Sequence, residues 1–194
     1  QVVDSGYILI GTTESNDFDV TYLHGGKDFW AIRLDKNFNL IWAKTFGGSN
    51  QEEAFSIFAT SDGNFVASGY TESIDGDITT AHGSGDFWVI KFNVDGALIW
   101  EKCFGGTAGE VCYQGIETTD GNYAFTGWTS SSNGDVSEFK GLADIWFITC
   151  DYNGDLLSSN CYGSTNYEIS YGVAEKDKHF FIVGRIQGNG GDIS

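Results

Sequence analysis

The chain repeats itself with a period of 58 residues. The triplet Asp28-Phe29-Trp30 recurs as Asp86-Phe87-Trp88 and again as Asp144-Ile145-Trp146. The turn Phe46-Gly47-Gly48 recurs as Phe104-Gly105-Gly106 at the same spacing. A fixed period of this length is typical of solenoids, propellers and other arrays, so it restricts the fold more than any other feature.

Each copy contains four strand signals and no helical periodicity. Turns such as Asp62-Gly63 and Asp95-Gly96 separate the apolar runs, and glycine supplies the positive φ that tight hairpin turns require. The sequence therefore predicts an all-β fold of four-stranded antiparallel sheets. In the second copy the predicted strands are 54–60, 65–71, 87–92 and 98–104.

The side chains on each strand predict how the sheets pack. The third strand reads Phe87-Trp88-Val89-Ile90, apolar on both faces, which predicts that neighbouring sheets cover it on both sides. The first strand carries small residues such as Ala54, Ser56 and Gly115, which suit the crowded region where blades converge on an axis. We therefore expect a β-propeller of four-stranded antiparallel blades, with the first strand innermost and the fourth outermost.

The propeller prediction treats residues 1–194 as one array of repeats. Residues 1–3 are expected to end an inner strand, and the chain stops after the second strand of its last blade. Because propellers typically have 4–8 blades, we expect an incomplete ring of about three to four blades. The remaining blades would come from the same longer chain or from other chains. The aspartate that recurs every 58 residues up to Asp135 next occurs at Asp192, after 57 residues. This shorter spacing indicates that one residue was lost near His179. The predicted blades are 1–49 (partial), 50–107, 108–165 and 166–194 (partial).

The repeat carries the motifs Thr-x-Asp-Gly-Asn-aromatic, Gly-x-Thr, Asp-Phe-Trp-x-Ile-Lys, Asp-Gly-x-Leu-x-Trp and Phe-Gly-Gly. This string resembles the tandem β-propeller repeats of secreted and cell-surface bacterial proteins, especially those exported by type IX secretion, and the resemblance covers the whole chain. It implies a secreted or cell-surface protein in which the propeller is an adhesive or scaffolding module. The fourth copy departs from the pattern at residues 176–179, and the third has Ser158 where Trp42 and Trp100 stand.

The turn between the third and fourth strands is similar to two further propeller signatures. Asn93-x-Asp95-Gly96-x-x-x-Trp100 resembles the Asp-box of sialidase-like propellers and the tryptophan-docking motif of quinoprotein propellers. Both resemblances imply structural roles, in which Asp95 accepts N–H bonds from its turn and Trp42 and Trp100 pack between blades. The other turn residues with this implied role are Asp35, Asn37, Asn93, Asp151 and Asn153.

The formal charge of −17 comes from 27 acidic and 10 basic residues. Such a chain has no basic stripe that could neutralise phosphates, so we expect no nucleic-acid partner. It contains no run of about 18 apolar residues, so we expect no membrane insertion. The charge suits divalent cations, basic partners or neutral glycans, and it also serves solubility alone.

The long loop after the second strand holds the densest acidic residues. Carboxylates at alternate positions in a Gly/Ser-rich loop can wrap Ca²⁺, which takes about 6–8 oxygen ligands. On this interpretation the calcium ligands are Asp17 and Asp19 in the first copy and Asp75 and Asp77 in the second. The alternative is an Asx-type turn whose charges face solvent.

Two further acidic positions recur in three copies. They are Glu52, Glu110 and Glu168, and Asp28, Asp86 and Asp144. The glutamates either form a ring of carboxylates at a channel mouth or accept N–H bonds from the neighbouring glycine turn, and we favour the second role. The aspartates are expected to fix the position where the third strand of each copy begins. His24 and His82 are also equivalent, and we assign them to surface loops.

Aromatic residues that differ between copies are not needed for the repeat, which makes them candidates for ligand binding. Phe18, Tyr22 and Phe139 lie in predicted loops, and Phe18 aligns with Gly76 and Gly134. We expect these rings to contact a protein or glycan ligand at a cell surface.

The four cysteines leave the disulfide state open. Cys103 and Cys161 occupy equivalent positions on different blades, so a bond between them is not expected. Cys103 and Cys112 flank one short loop and are the only pair close in sequence, and a bridge there depends on the distance between their Cα atoms.

No catalytic constellation stands out. The chain has no Gly-x-Ser-x-Gly elbow, and Arg33 and Arg185 are too few for the three-arginine grip of the sialidases. The sequence therefore predicts a non-catalytic, secreted or surface β-propeller module for binding or scaffolding, with calcium as a stabiliser on one interpretation. Two alternatives stay open. One is the propeller part of a carbohydrate-active enzyme whose active site lies outside this chain, and the other is a structural subunit of a surface assembly.

Overall fold

The protein is an all-β molecule in a computed structural model that describes residues 6–188 and 190–192. None of these residues forms a helix, and so none forms an apolar helix of membrane-spanning length. The described strands lie in four antiparallel sheets. The predicted end of an inner strand at residues 1–3 lies outside the described residues.

The strands follow the order of the sequence within every sheet. The first sheet contains β1 (Tyr7–Thr13), β2 (Asp28–Leu34) and β3 (Leu40–Phe46). The second contains β4 (Glu52–Ala59), β5 (Phe65–Thr71), β6 (Asp86–Phe92) and β7 (Leu98–Phe104). The third contains β8 (Glu110–Glu117), β9 (Tyr123–Thr129), β10 (Asp144–Cys150) and β11 (Leu156–Tyr162). The fourth contains β12 (Glu168–Lys176) and β13 (His179–Ile186).

The antiparallel four-stranded sheets predicted from the repeat are confirmed. In the second sheet the observed strands begin and end within two residues of the predicted ones. The agreement follows from the turn residues, because Gly63 and Gly96 both adopt the positive φ that their Asp-Gly turns were expected to need, at 82° and 70°.

The fourth sheet has a shorter hairpin than the others. Lys176 pairs with His179 across a two-residue turn formed by Asp177 and Lys178, both with positive φ, at 52° and 63°. The equivalent turn of the second sheet runs through three residues between Thr60 and Asn64. The residue predicted to be missing near His179 is therefore lost from this turn.

Apolar side chains fill the spaces between consecutive sheets. Trp88 of the second sheet packs on Phe29 of the first with ring centroids 4.5 Å apart, and Trp146 of the third packs on Phe87 of the second at 4.6 Å. Phe87 and its three following residues are fully buried, as the two apolar faces of that strand predicted. The third strand of the second repeat, β6, is thus covered on both sides by the neighbouring sheets.

Tryptophan on the last strand of a sheet joins it to the following sheet. Trp42 Nε1 donates to the Val94 carbonyl of the next sheet at 3.1 Å, and Trp100 Nε1 donates to the Tyr152 carbonyl at 3.3 Å. The turn itself is held by Asn93, whose Oδ1 accepts two backbone N–H bonds. Asp95 was assigned that role from the sequence, but its side chain is exposed and lies 3.7 Å from Arg33.

The cysteines form no disulfide. Cys103, Cys112, Cys150 and Cys161 are all free and buried. Cys103 lies on β7 and Cys112 on β8, so the one cysteine pair that is close in sequence belongs to two different sheets.

Candidate functional site

The glycine turn that closes each sheet is held by a buried glutamate. Glu52 Oε2 accepts the Gly48 N–H at 2.8 Å, and Glu110 accepts the Gly106 N–H at 2.9 Å. Glu168 makes the same bond to Ser164 at 2.7 Å. The three carboxylates are at most 1% exposed, so they bind their own turns and do not form a solvent-facing ring at a channel mouth.

The same turn is also bound by the acidic loop of the next sheet. Gly47 N–H donates to Asp77 Oδ2 at 3.1 Å, and Ser49 N–H donates to Asp75 Oδ1 at 2.7 Å. The Ser49 N–H lowers the pKa of Asp75, as expected for a carboxylate that accepts a hydrogen bond in its charged form. Asp135 and Asp192 repeat the Asp77 bond in the next two sheets.

The calcium site predicted from these loops finds no support in this geometry. Asp75 and Asp77 bind the backbone of the neighbouring sheet, and Asp17 and Asp19 are exposed. Within residues 6–188 and 190–192, no group of three or more His, Cys, Asp or Glu side chains is placed to hold a metal ion.

A histidine side chain lies between two carboxylates from adjacent sheets. His24 Nδ1 is 2.8 Å from Asp28 Oδ2 of its own sheet, and its Nε2 is 3.7 Å from Asp77 of the next sheet. The sequence predicts a surface-loop position for His24, but in the structure its side chain contacts carboxylates of two adjacent sheets. We call each such trio an inter-sheet clasp. In the second clasp His82 lies 3.8 Å from Asp86 and 4.0 Å from Asp135. In the third, Lys140 Nζ binds Asp192 at 2.8 Å, and the Lys140 backbone N–H donates to Asp144 Oδ2 at 2.7 Å.

In each clasp the aspartate that begins a strand, which is Asp28, Asp86 or Asp144, is buried at an energetic cost. Asp86 Oδ2 accepts the His82 N–H at 2.7 Å, but its Oδ1 is buried without a hydrogen-bond partner among the described residues. Burial raises the pKa of Asp86, and the nearby Glu110 charge adds to the rise. Gly105 lies between these two carboxylates, and a Cβ there would sit within 2.6 Å of an oxygen of each. Glycine is therefore the residue that fits this turn.

The three aromatic residues predicted to bind ligand have different environments. Phe18 is 94% exposed and holds a φ of 52°, the left-handed conformation that Gly76 and Gly134 adopt in the other copies. Tyr22 is exposed, and the centroids of the Tyr22 and His24 rings are 4.6 Å apart in an edge-to-face arrangement. Phe139 is partly buried and packs against the core between the second and third sheets.

A set of aromatic residues that the sequence reasoning missed lies on β4, β8 and β12; its two end members are exposed, and the central one is partly buried. Phe55, Tyr113 and Tyr171 each occupy a β-bulge, where the pairing register skips one residue. The centroids of the Phe55 and Tyr113 rings are 5.2 Å apart, and so are those of Tyr113 and Tyr171. We call this row the aromatic ladder. Its signal in the sequence is an aromatic residue at a spacing of 58 between small residues.

The ladder has a polar group at one end. Tyr70 stacks beside Phe55 with centroids 6.4 Å apart. Glu53 is the cross-strand partner of Tyr70 and binds Lys27 Nζ at 2.6 Å. The equivalent positions of the next copy hold Val111, Trp128 and Gly85, so this polar group is specific to one end of the ladder.

Comparison with known proteins adds no assignment. No family model matches the chain, and no curated protein matches it in sequence.

Proposed function

We propose that the chain is part of a non-catalytic β-propeller module that binds or scaffolds at a bacterial surface, in the manner of the repeats exported by type IX secretion. The observation that carries this proposal is the inter-sheet clasp. The acidic residues that recur, which are the chain's main supply of chemically active groups, are engaged in joining one sheet to the next. A catalytic pair would be needed only once.

The propeller arrangement is supported by the way the sheets stack. Trp88 and Trp146 each pack on the preceding sheet, and the first strands of consecutive four-stranded units lie side by side. A groove of about 340 Å³ between the third and fourth sheets is lined by Ile145, Phe147 and Phe180 and continues this series, since Ile145 is equivalent to Phe87. The third-strand tryptophan of the fourth unit would pack there. Additional units, from a longer chain or from other chains, would then close the ring.

A designed tandem protein tests the arrangement directly. We expect four to eight copies of residues 50–107 joined in one chain to give a compact monomer whose electron micrographs show a closed ring. An open superhelix at every copy number would contradict the propeller.

A paired assay tests the function. The whole chain is screened on arrays of surface glycans and surface proteins, and in parallel with chromogenic glycosides. We expect saturable binding to at least one array component and no turnover. Turnover that persists through repurification would favour the carbohydrate-active enzyme.

A further inference from the structure

We propose that the aromatic ladder is a binding site for a neutral glycan chain, an inference that deepens the proposed binding function and rests on it. Phe55 and Tyr171 are 42% and 51% exposed, and Tyr113 bridges them at the centre. A β-bulge often re-aims a side chain at a functional position, and here it does so in three consecutive sheets.

A peptide strand would not add to this surface, because the backbone donors beside the bulges are already bound. The Ala54 N–H donates to Thr12 Oγ1 at 3.1 Å, and the Gly115 N–H donates to Ser56 Oγ at 3.2 Å. The Val173 N–H donates to Gln114 Oε1 at 2.8 Å. Strand addition depends on free main-chain groups at a sheet edge, so these bound donors oppose it and leave the rings as the contact surface.

The charge and the arrangement of the rings select the class of ligand. A net charge of −17 opposes anionic polymers. Cations are usually bound by a cage of rings around one point, whereas these rings form a row with interplanar angles of 56° and 49°. A row suits an extended chain of pyranose rings, whose C–H faces pack on aromatic faces while their hydroxyl groups stay hydrated.

The polar group beside Phe55 makes the two ends of the aromatic ladder chemically different. Glu53, Lys27 and the Tyr70 hydroxyl provide acceptors and donors at that end. The equivalent positions beside Tyr113 hold Val111, Trp128 and Gly85, so the charged pair has no counterpart there. Ligand sites are commonly apolar surfaces with a few polar groups that fix orientation. The terminal sugar of the bound chain would hydrogen-bond these groups.

Titration calorimetry with defined probes tests the assignment. The probes are cellohexaose, xylohexaose and chitohexaose, with hexagalacturonate as an anionic chain and hexa-arginine as a cationic one. We expect a neutral probe to bind and hexagalacturonate to bind at least about tenfold more weakly. Tyr113→Ala should weaken the neutral probe by about tenfold or more, the usual effect of removing a central aromatic contact.

Tyr152→Ala is the matched control, since Tyr152 is 63% exposed on the turn between β10 and β11, and the substitution keeps the backbone carbonyl that accepts the Trp100 Nε1 bond. Tyr171→Ala repeats the test at a more exposed rung if Tyr113→Ala lowers the melting temperature. Equal losses in Tyr113→Ala and Tyr152→Ala, binding of hexa-arginine alone, or no binding of any neutral probe would each overturn the glycan assignment. If a surface protein still binds on the arrays, the proposed function survives that failure.

Discussion

Asp86 illustrates how one carboxylate can both join two sheets and oppose folding. Its Oδ1 is buried without a partner among the described residues, and burial raises its pKa. Because the folded-state pKa lies above that of the unfolded chain, this group favours folding at acid pH. That contribution is lost as the pH rises from the ordinary aspartate value of ~3.9 through the folded-state pKa.

Replacing Asp86 with asparagine should therefore stabilise the protein at neutral pH. The amide oxygen can still accept the His82 N–H, and the amide N–H₂ takes the place of the unpartnered oxygen beside Glu110. We expect the free energy of unfolding of Asp86→Asn to exceed that of wild type by on the order of 1 kcal/mol at pH 7. The difference should shrink towards pH 3, as measured by urea unfolding at both pH values.

Asp95→Asn is the control for this change, because it removes the same charge from an exposed side chain of the same sheet. Its effect on unfolding should be small at both pH values. A destabilised Asp86→Asn protein at pH 7 would mean that the clasp needs the Asp86 charge more than burial opposes it.

Some single residues could be predicted from the repeat and others could not. Phe18 and Phe38 align with glycines, and both adopt the left-handed φ of those glycines, at 52° and 65°. The hydrogen bonds of the equivalent tryptophans were not predictable. Trp146 Nε1 donates to Ser159, whereas Trp30 Nε1 is buried without a partner among the described residues. The acceptor of each indole sits on another strand and changes between copies.

At the scale of elements, the turn between β12 and β13 requires a backbone conformation that its two residues do not favour. A two-residue turn with positive φ at both positions favours Asn-Gly, and here it is made by Asp177 and Lys178. Left-handed φ costs a non-glycine residue about 1–2 kcal/mol. We expect the double change Asp177→Asn and Lys178→Gly to raise the free energy of unfolding by about 1 kcal/mol, measured by thermal or urea unfolding.

Lys36→Gly is the matched control, because Lys36 lies in an exposed turn and is not among the residues with positive φ. Glycine should lower stability there, since it only adds freedom to the unfolded chain. If both changes shift stability in the same direction, backbone conformation is not what limits the Asp177-Lys178 turn.

The elements show where sequence reasoning ends. The hairpins were predictable because Asp-Gly turns and apolar runs are local signals. The role of the acidic loop was not, because Asp75 binds Ser49 and Asp77 binds Gly47, both in the preceding sheet. The β-bulges were also missed, since the spacing of Phe55 and Tyr113 is visible in the sequence but the skipped pairing that places them in bulges depends on the partner strand.

At the scale of the whole molecule, the clasps and the shared apolar clusters make neighbouring sheets depend on one another. One cluster contains buried residues from both the second and third sheets, including Phe87, Phe125 and Trp146. In repeat proteins, stability is the sum of the stability of each unit and the coupling between neighbours. Strong coupling predicts that the second and third sheets unfold together.

The buried thiols can measure this coupling. Burial raises the pKa of Cys112, Cys150 and Cys161 to about 12, so at pH 8 they are protonated as well as shielded. Thiolates are the reactive form, so labelling by an aromatic disulfide reagent should be at least about a thousandfold slower than in the unfolded chain. Reaction within the mixing time in native buffer would contradict the buried placement of these side chains.

Coupling predicts that Cys103 of the second sheet and Cys161 of the third become reactive at the same urea concentration. Asp135→Ala tests the cause, because it removes the carboxylate that accepts the Gly105 N–H at 3.1 Å and leaves both cysteines in place. We expect the two transitions, read by mass spectrometry of labelled peptides, to coincide in wild type and to separate in Asp135→Ala. Transitions that already differ in wild type would mean that the clasp positions the sheets without coupling their stability. Coincident transitions in both proteins would assign the coupling to the apolar cluster, since Phe87 and Trp146 would then hold the sheets together without the clasp.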